Sequence, residues 1–166
     1  MYEIYTICSE TGDEYKLEFT SERIAAISEE TLDRLRLQGI EVVDIGLGRS
    51  KGINVTSHKV LHQIEECIAD MLLSHPNVII SFFCDFISLV PRMKRKMPVQ
   101  EYRSILFTRM FERYVSHKHL DGICNRVVTV EGSAENYYFH IIARQEHLKY
   151  ADIIAQEYQT DYGKPQ

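Results

Sequence analysis

The sequence predicts a single α+β domain: a mixed, largely antiparallel sheet with a hairpin at each end and about four helices, in the order ββαβαβαββα. Three observations predict it. Both ends of the chain alternate apolar and polar residues with period two around turn-forming residues. The middle carries long stretches with apolar residues three and four apart. No internal repeat, low-complexity tract or Pro/Gly-rich linker divides the 166 residues. The domain is therefore expected to span 1–166, with a short polar tail from about residue 159 and the helices packed mainly on one face of the sheet.

Each element has its own signal. "YEIYTIC" and "EYKLEF" flank "SETGD" and read as the first hairpin. "SEETLDRLRLQG" gives a short helix with Ser28 as N-cap and Gly39 as its stop. "IEVVDIGL" is a third strand, closed by a loop in "GRSKG". The strongest helix is "SHKVLHQIEECIADMLLSHPN", capped by Ser57 and ended by Pro76, with Val60, Leu61, Ile64, Cys67, Ile68, Met71 and Leu72 on one stripe. "NVIISFFC" is almost continuously apolar, the pattern of a central strand covered on both faces. Pro98 is placed as the first residue of a helix over "VQEYRSILFTRMFERYVSH", its core stripe predicted as Val99, Tyr102, Leu106, Met110 and Tyr114, with Phe107 and Phe111 on its flank. "RVVTVEG" and "NYYFHIIARQ" form the second hairpin around "GSAE", and "EHLKYADIIAQEY" the last helix.

Composition narrows the function classes. Hydrophobic residues make up 45% and charged residues 26%, which excludes a disordered chain and permits a core without metal or disulfide staples. The first residues show no basic n-region or apolar h-region, and the longest apolar run, "VIISFFC", is too short to span a bilayer. A cytoplasmic location with no membrane partner is expected. Cys8, Cys67, Cys84 and Cys124 are scattered, as reduced core thiols would be. Net charge is −5 but uneven: residues 1–75 carry 14 acids against 7 bases, whereas 86–118 carry 8 bases against 2 acids.

Candidate chemistry concentrates after the "NVIISFFC" strand. Asp85 follows its end, and Arg92, Lys94, Arg95 and Lys96 crowd into five residues. Arg103, Arg109 and Arg113 extend the basic region along the next helix. An Asp85–Arg103 or Asp85–Arg113 pair would pin loop to helix, because a guanidinium at a core edge needs a carboxylate; the same arginines could instead meet an anionic ligand. Cys84 is a candidate nucleophile beside these cations, without an identifiable histidine base. His58, His62 and Glu66 stand at i, i+4 and i+8 as candidate metal ligands, although one straight helix seldom supplies three ligands and this side should face water. His140, between Phe139 and Ile141, is expected as a hydrogen-bonded core or edge histidine. No Gly-rich turn, nucleophile elbow or other cofactor signature is present, so no cofactor is expected.

The stretch "NVIISFFCD" followed by arginines and "FTRMFERY" resembles a family of small bacterial proteins of unknown function, in which an apolar strand ends in Cys-Asp before an arginine-bearing loop and helix. The matching positions are Cys84, Asp85, Arg92, Arg95, Phe107, Arg109 and Phe111, in the second half of the chain. "FISLV" stands where the family has small polar residues, and the resemblance implies no activity. Opposed acidic and basic regions, small size and no catalytic constellation lead to an expected non-enzymatic interaction protein, of the immunity-protein or antitoxin kind, with one protein partner. The alternative is a nucleic-acid or phosphate-ligand binder using Asp85 and the 92–113 arginines. Strands such as "YEIYTIC" could also pair edge to edge with a second copy.

Overall fold

The computed structural model describes residues 1–22, 24, 26–84 and 97–162. These form a single α+β domain in the predicted order. The strands are β1 (Tyr2–Cys8), β2 (Glu14–Thr20), β3 (Glu41–Lys51), β4 (Val78–Phe83), β5 (Ile123–Val130) and β6 (Tyr137–Arg144). The helices are α1 (Glu29–Leu37), α2 (His58–Ser74), α3 (Val99–Lys118) and α4 (Leu148–Tyr162), the last preceded by a 3-10 turn at Gln145–His147. The sheet order is β1-β2-β3-β4-β6-β5, antiparallel throughout except for the parallel β3–β4 pair. Parallel neighbours need a crossover, and α2 supplies it. No helix among the described residues is long and apolar enough to cross a membrane.

The helices pack on both faces of the sheet, two to each, rather than mainly on one. Adjacent strand residues divide between two cores: Val42, Ile79 and Ile141 join Leu32, Leu35, Ile154 and Tyr158 under α1 and α4. Val43, Ile80 and Ile142 join Val60, Ile64, Ile68 and Met71 under α2, with Phe107 and Phe111 of α3 packed against them. Alternation through a strand requires this division wherever both neighbours are apolar.

Several boundaries depart from the sequence-based expectation; β5, for one, begins at Ile123 rather than at Arg126. β3 continues through Lys51, because Glu14 and Tyr15 of β2 pair with Lys51 and Arg49 across a bulge. Pro98 is the N-cap of α3 rather than its first helical residue. α4 carries on through 159–162, assigned from the sequence to a polar tail. Ser28 caps α1 as expected, accepting from the Thr31 amide, and Glu157 of α4 accepts from the Ser28 amide, the Ser28 hydroxyl and the Thr31 hydroxyl. A carboxylate from the neighbouring helix thus completes the α1 N-terminus, where backbone donors are unpaired.

α3 also presents a different face from the predicted stripe. Gln100 and Ser104 are the residues it buries, and the flanking Phe107 and Phe111, half-buried like Tyr102, Leu106 and Met110, pack on the core beside them. The cause lies beneath the helix. His140, fully buried on β6, places Nε2 2.9 Å from Ser104 Oγ and Nδ1 3.1 Å from Asn125 Oδ1 of β5. Gln100 Nε2 donates to the Asn136 carbonyl at 3.4 Å. Buried polar atoms on the sheet need partners, and the polar side of α3 provides them. Asn125 Oδ1 only accepts, so Nδ1 carries the imidazole proton and Nε2 accepts from Ser104.

Two interior groups titrate in opposite senses. Burial lowers the His140 pKa to about 4, and burial raises that of Asp44, half-buried on β3, to about 7. As pH falls below 6.5 the unfolded chain protonates its histidine while the folded chain does not, so His140 takes stability away down to its folded pKa. As pH falls below 7 the folded chain protonates Asp44 while the unfolded chain does not until about 3.8, so Asp44 adds stability over the same descent. Between pH 6.5 and 5 the wild type is therefore expected to hold nearly level in urea unfolding, and Asp44→Asn to lose about 1.5 kcal/mol. An Asp44→Asn curve as level as the wild type contradicts the opposition.

Candidate functional site

The end of the sheet where β1 and β3 finish and β2 begins carries a different construction from the two cores. β1 leads into a tight turn in which the Ser9 amide donates to the Asp13 carbonyl at 2.8 Å, and Gly12 takes the left-handed conformation at φ 81°. The turn aims the Asp13 side chain inward, where it is 1% exposed. Its carboxylate accepts from Thr11 Oγ1 at 2.6 Å, Ser9 Oγ at 3.2 Å, Asn54 Nδ2 at 2.9 Å and the Asn54 amide at 2.9 Å. Arg49 Nη1 lies 3.9 Å away. The Thr11 hydroxyl first, and the Asn54 side chain next, hold this carboxyl well below the usual carboxylate range.

The loop that this carboxylate grips runs over 52–57, between β3 and α2. Asn54 is pinned by Asp13, and Thr56 Oγ1 meets Tyr15 OH at 3.0 Å and Arg49 Nη2 at 3.1 Å. The Arg49 guanidinium stacks over the Tyr15 ring, 5.1 Å from its centroid. Residues 54 and 56 are thus tied down, and 53 and 55 are displayed: Ile53 is 85% exposed and Val55 74%. Across the turn, Lys59 Nζ pairs with Glu10 Oε1 at 2.6 Å and leaves a charged rim. Two bare aliphatic side chains are thus displayed side by side on a loop that is held from beneath.

The residues singled out from the sequence fall elsewhere. Asp85, Arg92, Lys94, Arg95 and Lys96 lie outside the described residues, and with them the expected Asp85 pairs. Arg109 and Arg113 are exposed one turn apart on α3, and Arg103 is half-buried. Cys84 is fully buried at the end of β4, its amide donating to the Tyr138 carbonyl at 3.0 Å. His58 and His62 are exposed and Glu66 half-buried. His62 turns to carboxylates, with Nδ1 3.2 Å from Glu65 Oε2 and Nε2 3.5 Å from Glu66 Oε1, and His58 does not join them. Among the described residues no cluster of three His, Cys, Asp or Glu could hold a metal ion. His140 is the hydrogen-bonded core histidine expected.

Sequence reasoning passed over 52–57. Its signal was the short alternation "GINVTS", in which aliphatic residues interleave with Asn and Thr after a glycine. Gly52 sits at φ 90°, and a Cβ there would run into the Asp13 carboxylate and stand 2.8 Å from the Asp13 Cα. Gly52→Ala is therefore expected to destabilise the fold by about 3 kcal/mol in urea unfolding, through strain and displacement of the carboxylate together. A loss below about 0.5 kcal/mol would contradict the close packing of Asp13 on the loop. No protein-family model and no curated protein matches the chain, so its own geometry carries the functional reading.

Proposed function

We propose that the chain is a non-enzymatic binding protein, of the protector or inhibitor kind that immunity proteins and antitoxins represent, and that it holds one protein partner through the 52–57 loop. The observation that carries this is the paired exposure of Ile53 and Val55 on a loop tied to Asp13, Tyr15 and Arg49. An exposed aliphatic pair costs solubility unless something covers it, and a loop ordered in advance loses little entropy on binding. Anchors seated in a partner's pocket, with a charged rim around them, are the usual arrangement of a tight protein interface. The acidic excess of residues 1–75 favours a basic partner and would steer its approach.

Arg109 and Arg113, exposed on the outer side of α3, favour a second reading in which an anionic ligand or nucleic acid binds there. Affinity capture from the native cell lysate separates the two, with wild type beside Ile53→Asp/Val55→Asp and Arg109→Ala/Arg113→Ala. Expected is one stoichiometric protein retained by wild type and by the arginine variant. The loop variant, with unchanged melting temperature, should hold at least tenfold less of it. Retention independent of the loop overturns the assignment. Nucleic acid in the eluate, removed by moderate salt and by the arginine substitutions, supports the second reading instead.

A further inference from the structure

β1 is one of the two outer strands of the sheet, and among the described residues no strand pairs with its free side. At the two ends of its ladder with β2, the Ser21 amide donates to the Met1 carbonyl at 3.0 Å and the Ser9 amide to the Asp13 carbonyl at 2.8 Å. Antiparallel strands alternate between residues that bond a given neighbour and residues that point their backbone groups away from it. Tyr2, Ile4, Thr6 and Cys8 therefore turn both amide and carbonyl toward open space. The same four residues expose their side chains, Tyr2 at 57% and Ile4 at 49%.

Outer strands are ordinarily blunted by lysine, proline or a bulge. β1 has none of these. Its sequence holds no base and no proline, and its register runs unbroken from Tyr2 opposite Thr20 to Cys8 opposite Glu14. Its one charge, Glu3, accepts from Tyr5 OH at 2.7 Å on the face that packs under α2. β5, the other outer strand, carries Arg126, ion-paired with Asp152 of α4.

Self-complementarity selects the occupant. Two copies of β1 run antiparallel about a two-fold axis at Tyr5 set Tyr2 against Cys8 and Ile4 against Thr6, so all four outward residues make both backbone bonds. Glu3 then faces Ile7 rather than a second Glu3. Behind each copy, β2 sets Glu18 beside Ile4 and Lys16 beside Thr6, so the central rows across the four strands have an acid at one end and a base at the other. Sliding the pairing by two residues gives up one of the residue pairs. It also puts Glu18, or Lys16, at both ends of the central row.

From these free backbone groups and this register, we propose that β1 is a homodimerisation edge, at which two copies of the chain join their six-stranded sheets into one. The interface uses neither Ile53 nor Val55, so it stands or falls apart from the proposed function.

The test is sedimentation equilibrium of the full chain over a hundredfold range of concentration, with wild type beside Ile4→Pro, Ile4→Lys and Val127→Pro. A reversible monomer–dimer equilibrium is expected for wild type. Ile4→Pro removes an outward amide and no bond to β2, and should weaken dimerisation at least tenfold with the fold retained. Ile4→Lys, whose charge meets Glu18 within its own chain, should do the same and covers the case in which the proline variant does not fold. The Gln145 amide donates to the Gly122 carbonyl at 2.7 Å, so Val127 of β5 also points its groups outward, and folded Val127→Pro should dimerise as wild type does. For the register, Tyr2→Cys should form a disulfide-linked dimer through native Cys8 under oxidised glutathione, and Tyr2→Cys/Cys8→Ser should not. A wild type that stays monomeric throughout overturns the proposal, as does a dimer that both Ile4 variants leave intact. No disulfide link, or one formed equally without Cys8, overturns the register.

Discussion

The centre of the sheet must be covered on both faces, and the rest of the architecture follows from that constraint. β4 reads "VIISFF", and Val78, Ile79, Ile80 and Ser81 are all buried. Such a strand is stable only between two layers. Its parallel pairing with β3 requires a crossover, which brings α2 over one face, while α1 and α4 close the other. α2 also reaches β1 and β2, whose Ile7 and Leu17 join the same core. β1, at the edge of the sheet, is left with Tyr2 and Ile4 exposed on one side.

Where β1 and β3 finish and β2 begins, a polar lock replaces a core. Asp13 collects donors from its own turn and from the 52–57 loop, and Arg49 and Tyr15 fasten Thr56 beside it. Apolar packing there would have needed Ile53 and Val55 to point inward. Hydrogen bonding through Asn54 and Thr56 frees them to point out. The device that completes the fold at this end therefore also displays the aliphatic pair, and Gly52 is the residue that allows the backbone to come close enough.

Much of the fold was legible in the sequence because period and caps are local. The hairpin around "SETGD", the Ser28 and Ser57 caps, the crossover helix and the buried β4 strand all have signals within a few residues. What was not legible depends on residues far apart. The rotation of α3 follows from His140 and Asn125, which lie on strands beyond it, so its apolar stripe alone misplaces the face. The apolar run of β4 already asked for cover on both faces, but which helices supply it depends on β6 pairing beside β4, which no local pattern encodes. The Asp13 lock joins residues about forty apart, and "GINVTS" looks like ordinary loop until its Asn and Thr are seen to be occupied.

The most direct measurement of the central claim, that Asp13 holds the 52–57 loop in order before any partner arrives, is residue-resolved amide hydrogen exchange on the isolated chain. The Asn54 amide donates to Asp13 Oδ1, whereas Ile53 and Val55 lie in an exposed loop segment. The account predicts strong protection at Asn54 with fast exchange at its two neighbours, and loss of that protection in Asp13→Ala. Exchange of Asn54 at the rate of an unstructured peptide in the wild type would contradict it.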